Sequence, residues 1–175
     1  MLGWNDIIER SLTEEGGYAF DPQDPGGETN WGITKRVAMQ NGFLADMKNM
    51  TRDTAIGIYY QEYWKKIRLC DVNSVLAFQV FDFGINHGPQ NSIRILQDIL
   101  KVQADGVIGD QTMAAISGWN IESLVMAFIA GRQKYYLNNP DYKTYGKGWL
   151  GRCSDCLLWA SQDLRRGLPL SSSRS

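Results

Sequence analysis

A chain of 175 residues, 43% of them hydrophobic, is long enough for one compact domain or for one domain with a small second lobe. Its formal net charge of -1 lacks the basic excess of a nucleic-acid binder and offers no electrostatic reason to dock on an anionic membrane. No apolar run approaches the roughly 20 residues that span a bilayer, so no integral membrane segment is expected. The opening Met1-Leu2-Gly3-Trp4-Asn5-Asp6 has neither the basic flank nor the apolar stretch of a Sec-type signal peptide.

Helical periodicity dominates, and period-2 runs or Asn-Gly and Asp-Gly hairpin signals are missing. A first helix is expected over residues 3–15, where Trp4, Ile7, Ile8 and Leu12 share a face and Gly16-Gly17 stops it. Residues 16–32 read as a loop rich in Gly, Pro, Asp and Asn. A second helix is expected from about Thr34 to Asn41, broken at Asn41-Gly42. Thr51 suits the N-cap of a third, Arg52 to Trp64, with Ile56, Tyr59, Tyr60 and Tyr63 on one broad face. Residues 73–86 are apolar nearly all round and predict a buried central helix. His87-Gly88-Pro89 marks a joint, Pro89 suiting the first turn of a helix over 89–102. A turn at Ala104 to Asp110 precedes helices near 110–117, 120–138 and 150–165. The tail Leu168 to Ser175 predicts a frayed end. The fold class is all-α, with seven or eight helices.

Cys70, Cys153 and Cys156 are too few for a disulfide framework. Cys153-Ser154-Asp155-Cys156 has only Cys70 and His87 as further soft ligands, so small, partly buried helix residues are expected there rather than zinc.

The chemistry concentrates after the first helix, where Glu15, Asp21, Asp24 and Glu28 lie within one short stretch. Glycosidic hydrolysis needs a protonated carboxyl on the leaving oxygen and a second carboxylate at the anomeric carbon or on a water. Burial keeps the first protonated near neutral pH, and Tyr18, Phe20 and Trp31 are nearby apolar groups. Asp24, in the polar part of the loop, would stay ionised. Gly16-Gly17 and Gly26-Gly27 leave room for a bulky substrate. Ordinary turn chemistry would also place Asp-Pro and Pro-Gly pairs here.

Glu15-Gly16-Gly17-Tyr18 followed by Asp21-Pro22-Gln23-Asp24-Pro25-Gly26-Gly27-Glu28-Thr29-Asn30-Trp31-Gly32-Ile33-Thr34 closely resembles the signature of glycoside hydrolase family 108, N-acetylmuramidases of phages and Gram-negative bacteria. The resemblance implies a lysozyme-like, two-lobed helical fold with Glu15 as catalytic acid. Phage-type lysozymes similarly place an Asp nine residues after the catalytic Glu, as Asp24 follows Glu15, and a Thr near Thr29, one position short of their pattern. Asp21 rivals Asp24 as second carboxylate, and retaining and inverting mechanisms both stay open. Further on, Leu96-Gln97, Asp105-Gly106-Val107-Ile108-Gly109-Asp110 and Thr112 look like the helical peptidoglycan-binding modules that accompany such enzymes, although turn, cap and core roles suit the same residues.

These resemblances imply a catalytic muramidase lobe over 1–86 and a helical, peptidoglycan-binding-like lobe over 87–175. They imply an endolysin-type muramidase cutting the β-1,4 bond between N-acetylmuramic acid and N-acetylglucosamine, with a non-catalytic peptidoglycan-binding module as the alternative. Glu15, Asp24 and Thr29 are the expected catalytic residues, and Tyr18, Asp21, Asn30, Trp31 and His87 the expected substrate contacts. His87 suits a structural joint as well, and the aromatics from Tyr135 to Trp159 suit a core. No cofactor and no metal are expected. Peptidoglycan strands are the partner, with a holin or similar export partner, and a monomer is expected. The protein would be made in the cytoplasm and act on the wall in the periplasm.

Overall fold

The structure, a computed structural model, describes residues 2–12, 17–20 and 27–167. The chain forms two compact units, Gly3–Ile67 and Met1–Leu2 with Arg68–Ser175. The described residues contain eight α-helices and one small sheet.

In the unit Gly3–Ile67, α1 (Trp4–Ser11) buries Ile7 and Ile8, and the Gly3 amide donates to Asp6 Oδ2 at its start. The helix ends at a Leu12 C-cap, shorter than the expected 3–15. Three strands follow, β1 (Ala19–Phe20), β2 (Glu28–Asn30) and β3 (Ile33–Thr34), antiparallel in the order β1-β2-β3. This sheet corrects the expectation of a loop over 16–32. Its strands are two or three residues long, too short to show alternation. The β2–β3 turn is Trp31-Gly32, both with positive φ (52° and 73°), as a two-residue primed hairpin turn requires. Trp31 accepts that backbone because it is tied down twice. Its carbonyl accepts from the Tyr59 hydroxyl at 2.9 Å, and its indole N–H donates to the Met50 carbonyl at 3.0 Å. A Cβ on Gly32 would lie 2.9 Å from that same hydroxyl.

Thr34 caps α2 (Lys35–Gln40), which stops at Asn41 and the positive-φ Gly42. Thr51 caps α3 (Arg52–Tyr59), accepting from the Thr54 amide at 3.2 Å. The expected single helix to Trp64 instead changes to a π-helical turn at Tyr60–Lys65. Trp4 packs on Tyr60 and Trp64 at centroid distances of 5.2 and 5.4 Å.

The second unit is built on α4 (Ser74–His87), whose residues Val75 to Gly84 are all buried. Around it pack α5 (Pro89–Leu100), α7 (Ile121–Leu137) and α8 (Tyr142–Gly167), with α6 (Asp110–Ser117) against α5. Pro89 opens α5 after Gly88, whose φ is 89°. Helix α8 begins at Tyr142, well before the expected residue 150. Its first turns contain Gly146, where a Cβ would lie 2.6 Å from the Tyr142 ring. The expected frayed tail, Leu168 to Ser175, lies outside the described residues.

An apolar helix with a buried acid needs compensation, and α4 obtains it. Asp82 is fully buried and pairs with the equally buried Arg132 of α7 at 2.8 Å. Arg152 of α8 also binds Asp82. Arg132 Nε donates to the Tyr136 hydroxyl at 2.8 Å, and the Cys156 thiol donates to Asp82 Oδ2 at 3.3 Å. Although burial opposes ionisation, the two guanidinium groups hold the Asp82 carboxyl below its ordinary pKa. Burial pushes the Cys156 thiol up to about 12. Cys153 and Cys156 are therefore buried, free, helix-packed thiols, as the C-x-x-C spacing suggested.

Candidate active site

Of the expected catalytic and substrate residues, Glu15, Asp21 and Asp24 lie outside the described residues. Tyr18, Thr29, Asn30 and Trp31 fall in the unit Gly3–Ile67, and His87 in the other.

The register pairs Ala19 with Thr29 and Phe20 with Glu28, so in chain order residues 21–27 run from one strand to the other. Glu28 accepts from Lys35 Nζ at 2.8 Å and also faces the Tyr18 hydroxyl. The Lys35 hydrogen bond is the largest influence on the Glu28 carboxyl and lowers its pKa. Partial desolvation and the neighbouring Glu28 raise the Tyr18 phenol. Lys48 Nζ lies 5.1 Å from the Tyr18 ring centroid. Chemically, Glu28 is a fixed anion at neutral pH and no proton donor. Its carboxylate is tied into the scaffold of the sheet.

Thr29 is half-buried in β2, its hydroxyl 3.5 Å from the Ala19 carbonyl. That contact sits at the limit of a hydrogen bond, so the hydroxyl is only weakly held. Asn30 points into the protein, donating to the Met47 carbonyl at 2.6 Å, while its buried Oδ1 has no hydrogen-bond partner among the described residues. Asn30 and Trp31 thus anchor β2 and its turn to the segment Met47–Met50. The Trp31 ring is half-buried and keeps part of its surface open. Tyr18 and Phe20 are exposed, Phe20 to 59%. Sequence reasoning missed Lys35 and Lys48. The Glu28 to Lys35 interval crosses a hairpin and a helix start, so no single-element periodicity relates the two.

His87 ends α4 inside an aromatic cluster. It stacks on Phe83 at 4.9 Å and meets Tyr135, Tyr136 and Trp149 at 5.6, 5.0 and 5.1 Å. Its Nε2 is buried and has no hydrogen-bond partner among the described residues. Burial first, then the charge of Arg132, lowers its pKa. Tyr136 and Trp149 stack at 5.0 Å, and Tyr145 lies against Trp149 with 57% of its surface exposed. Most of these rings contact one another, so the cluster is a core with an exposed edge.

The loop after α5 is held chiefly by Gln97, which donates from Nε2 to Thr112 Oγ1 at 3.2 Å. Gln97 Nε2 donates to Asp105 Oδ1 at 2.7 Å and to the Val107 carbonyl at 2.9 Å, and its Oε1 accepts from the Gly106 amide at 2.8 Å. Asp105 in turn accepts from the Val107 amide. The Gln, Asp-Gly and Thr positions that look like a wall-binding motif therefore close a turn, with Gly106 at φ 81°.

Comparison with known families matches residues 8–88 to the model described as Glycosyl hydrolase 108 and residues 91–154 to one described as Predicted Peptidoglycan domain. Among solved structures, SagA of Brucella abortus is 30% identical, with a TM-score of 0.79 over 91% of this chain and 94% of that one. The chain belongs to glycosyl hydrolase family 108. No curated protein matches the sequence significantly.

The family 108 chain is thus a glycoside hydrolase, and its peptidoglycan domain makes peptidoglycan its substrate. The mostly helical fold with a small sheet agrees with the lysozyme-like architecture implied by the sequence. Helix α4 falls within the segment matched to the hydrolase model, yet it belongs to the same compact unit as the helices of the peptidoglycan domain.

Proposed function

We propose that this family 108 enzyme is an endolysin-type muramidase that hydrolyses the β-1,4 bond between N-acetylmuramic acid and N-acetylglucosamine. Glu15 gives its proton to the glycosidic oxygen of the leaving sugar. Asp24 stabilises or captures the positive anomeric carbon, or activates water there. Water supplies the hydroxyl that ends on that carbon, and its proton restores the acid. Thr29 assists beside Asp24. Tyr18, Asp21, Trp31 and His87 contact the glycan, and Asn30 serves that surface from behind, its buried side chain anchoring β2. Residues 1–86 form the catalytic lobe in this reading and 87–175 the wall-binding lobe. The enzyme reaches the periplasm through a holin or similar partner and acts as a monomer.

The observation that carries this reading is the β1–β2 hairpin. It frames the connection 21–27, and its own carboxylate, Glu28, is fixed as an anion by Lys35. A fixed anion is a poor proton donor, which supports a different carboxyl of the loop in that role, and the nine-residue interval favours the pair Glu15 and Asp24.

Mass spectrometry of products from purified sacculi tests it. New reducing ends on N-acetylmuramic acid are expected; ends on N-acetylglucosamine would overturn the bond assignment, and anhydro products would overturn hydrolysis by water at that bond. Glu15→Gln should lower turnover by about 10²–10⁴-fold, the usual contribution of a general acid. Wild-type turnover by that variant would remove Glu15 from the mechanism.

A further inference from the structure

Helices α5 and α7 approach closely at Gly131, where a Cβ would lie 2.8 Å from Ile95 Cγ2 and 3.2 Å from Ile99 Cδ1. Beside this crossing lies a groove of about 450 Å³. Ile95, Ile99, Ala127 and Ala130 form its apolar floor. Lys101, at the end of α5, and Lys134, in the last turn of α7, stand on its rim with Asp98. Among the described residues, no ion pair or side-chain hydrogen bond engages any of these three charged groups. Every residue lining the groove falls within residues 91–154, the segment matched to the peptidoglycan domain.

Peptidoglycan offers two kinds of surface, sugar rings and a short peptide stem. Flat sugar faces are recognised by aromatic platforms, and no aromatic side chain lines this groove. A stem of alanine, D-glutamate, a diamino acid and D-alanine instead presents small methyl groups, several carboxylates and a free amine. That set complements a floor of small apolar side chains bordered by two cations and one anion.

We propose that the α5–α7 groove binds the peptide stem of peptidoglycan. The alanine methyl groups seat on Ile95, Ile99, Ala127 and Ala130. Stem carboxylates meet Lys101 and Lys134, and Asp98 takes the amine of the diamino acid. The inference rests on peptidoglycan being the substrate but is independent of which residue is the catalytic acid.

The test titrates the full chain with the free tetrapeptide stem (L-alanine, D-glutamate, diaminopimelate, D-alanine) and follows amide chemical shifts by NMR. This probe has no glycosidic bond, so binding and hydrolysis fail separately. Saturable shifts confined to residues 95–101 and 127–134 are expected. The double variant Lys101→Gln/Lys134→Gln should bind about tenfold more weakly, the scale of two solvent-exposed ion pairs. Ala130→Glu, at an exposed position that leaves the core untouched, should weaken binding by placing a negative charge in the groove. Sacculi stripped of stems by an amidase should retain less protein than intact sacculi. Shifts located elsewhere, undiminished binding by the double variant, or equal retention on stripped and intact sacculi would overturn the proposal.

Discussion

Asp82 and Arg132 form a buried ion pair at 2.8 Å, and neither side chain exposes more than 1% of its surface. Three helices converge on it, because Arg152 and Cys156 of α8 also bind Asp82. A carboxylate in so apolar a helix is tolerated only while both guanidinium groups remain.

Removing one partner should therefore be costly. Arg132→Met is expected to lower unfolding stability by about 3–5 kcal/mol, the usual cost of leaving a buried charge uncompensated. Denaturant unfolding checks this. Asp82→Leu combined with Arg132→Met and Arg152→Leu should recover much of the loss, since the buried charge and its counterions leave together. A single Arg132→Met as stable as wild type would show that Asp82 does not need its partner.

The Glu28–Lys35 pair makes a distinguishable prediction about pH. The folded-state pKa of Glu28 lies below its ordinary 4.5, chiefly through the Lys35 hydrogen bond. The stabilisation is then fully present above the unfolded value and disappears as pH falls through the folded one. Glu28→Gln should unfold at a lower temperature than wild type at neutral pH, and the two melting curves should converge in acid. A gap that stays constant down to strongly acidic pH would show that the pair's charge is irrelevant. Because the same residue closes the hairpin around residues 21–27, turnover should fall more than substrate affinity.

His87 predicts pH dependence in a different window. Its pKa is depressed below 6.5, first by burial and then by Arg132. A depressed histidine contributes stability that is present above the unfolded value and lost as pH falls toward the folded one, since only the unfolded chain takes up the proton readily. Thermal stability should therefore decline as pH drops below about 6.5. His87→Phe should flatten that decline, since phenylalanine keeps the ring packing against Phe83 and Trp149 and removes the titrating group. An unchanged acid-side slope in the variant would assign the decline to other groups.

Some of this architecture is legible in local sequence. Thr34, Thr51 and Pro89 mark helix starts because capping and the proline ring act within one turn of the chain. Helix α4 is legible because burial all round leaves it nearly without polar residues. Within its buried stretch Val75 to Gly84 the polar residues are Gln79 and Asp82, whose partners are distant: Arg152 lies 70 residues from Asp82 and no local pattern names it. The sheet is illegible for a geometric reason. Its strands are shorter than one alternation, and Trp31 occupies a positive-φ position where Asn or Gly would announce a hairpin. At the candidate site, chain order brings out the loop carboxylates, whereas the pairing of Glu28 with Lys35 depends on the hairpin and is visible only in three dimensions.

The three thiols should separate cleanly by reactivity. Cys70 is exposed, while Cys153 and Cys156 are buried at 1% and 0%. Burial raises the pKa of both buried thiols, that of Cys156 to about 12, so little thiolate forms there near neutral pH. Cys70 also sits above its ordinary value through partial desolvation and Asp71, but a reagent can reach it. Titration of the native protein with a disulfide reagent at pH 8 should release one equivalent quickly and the other two only on unfolding. Cys70→Ser should abolish the fast phase without altering the slow one. Rapid release of all three from native protein would mean that α8 opens readily at Cys153 and Cys156. The Asp82 cluster, which includes the Cys156 thiol, would then be far looser than its 2.8 Å ion pair implies.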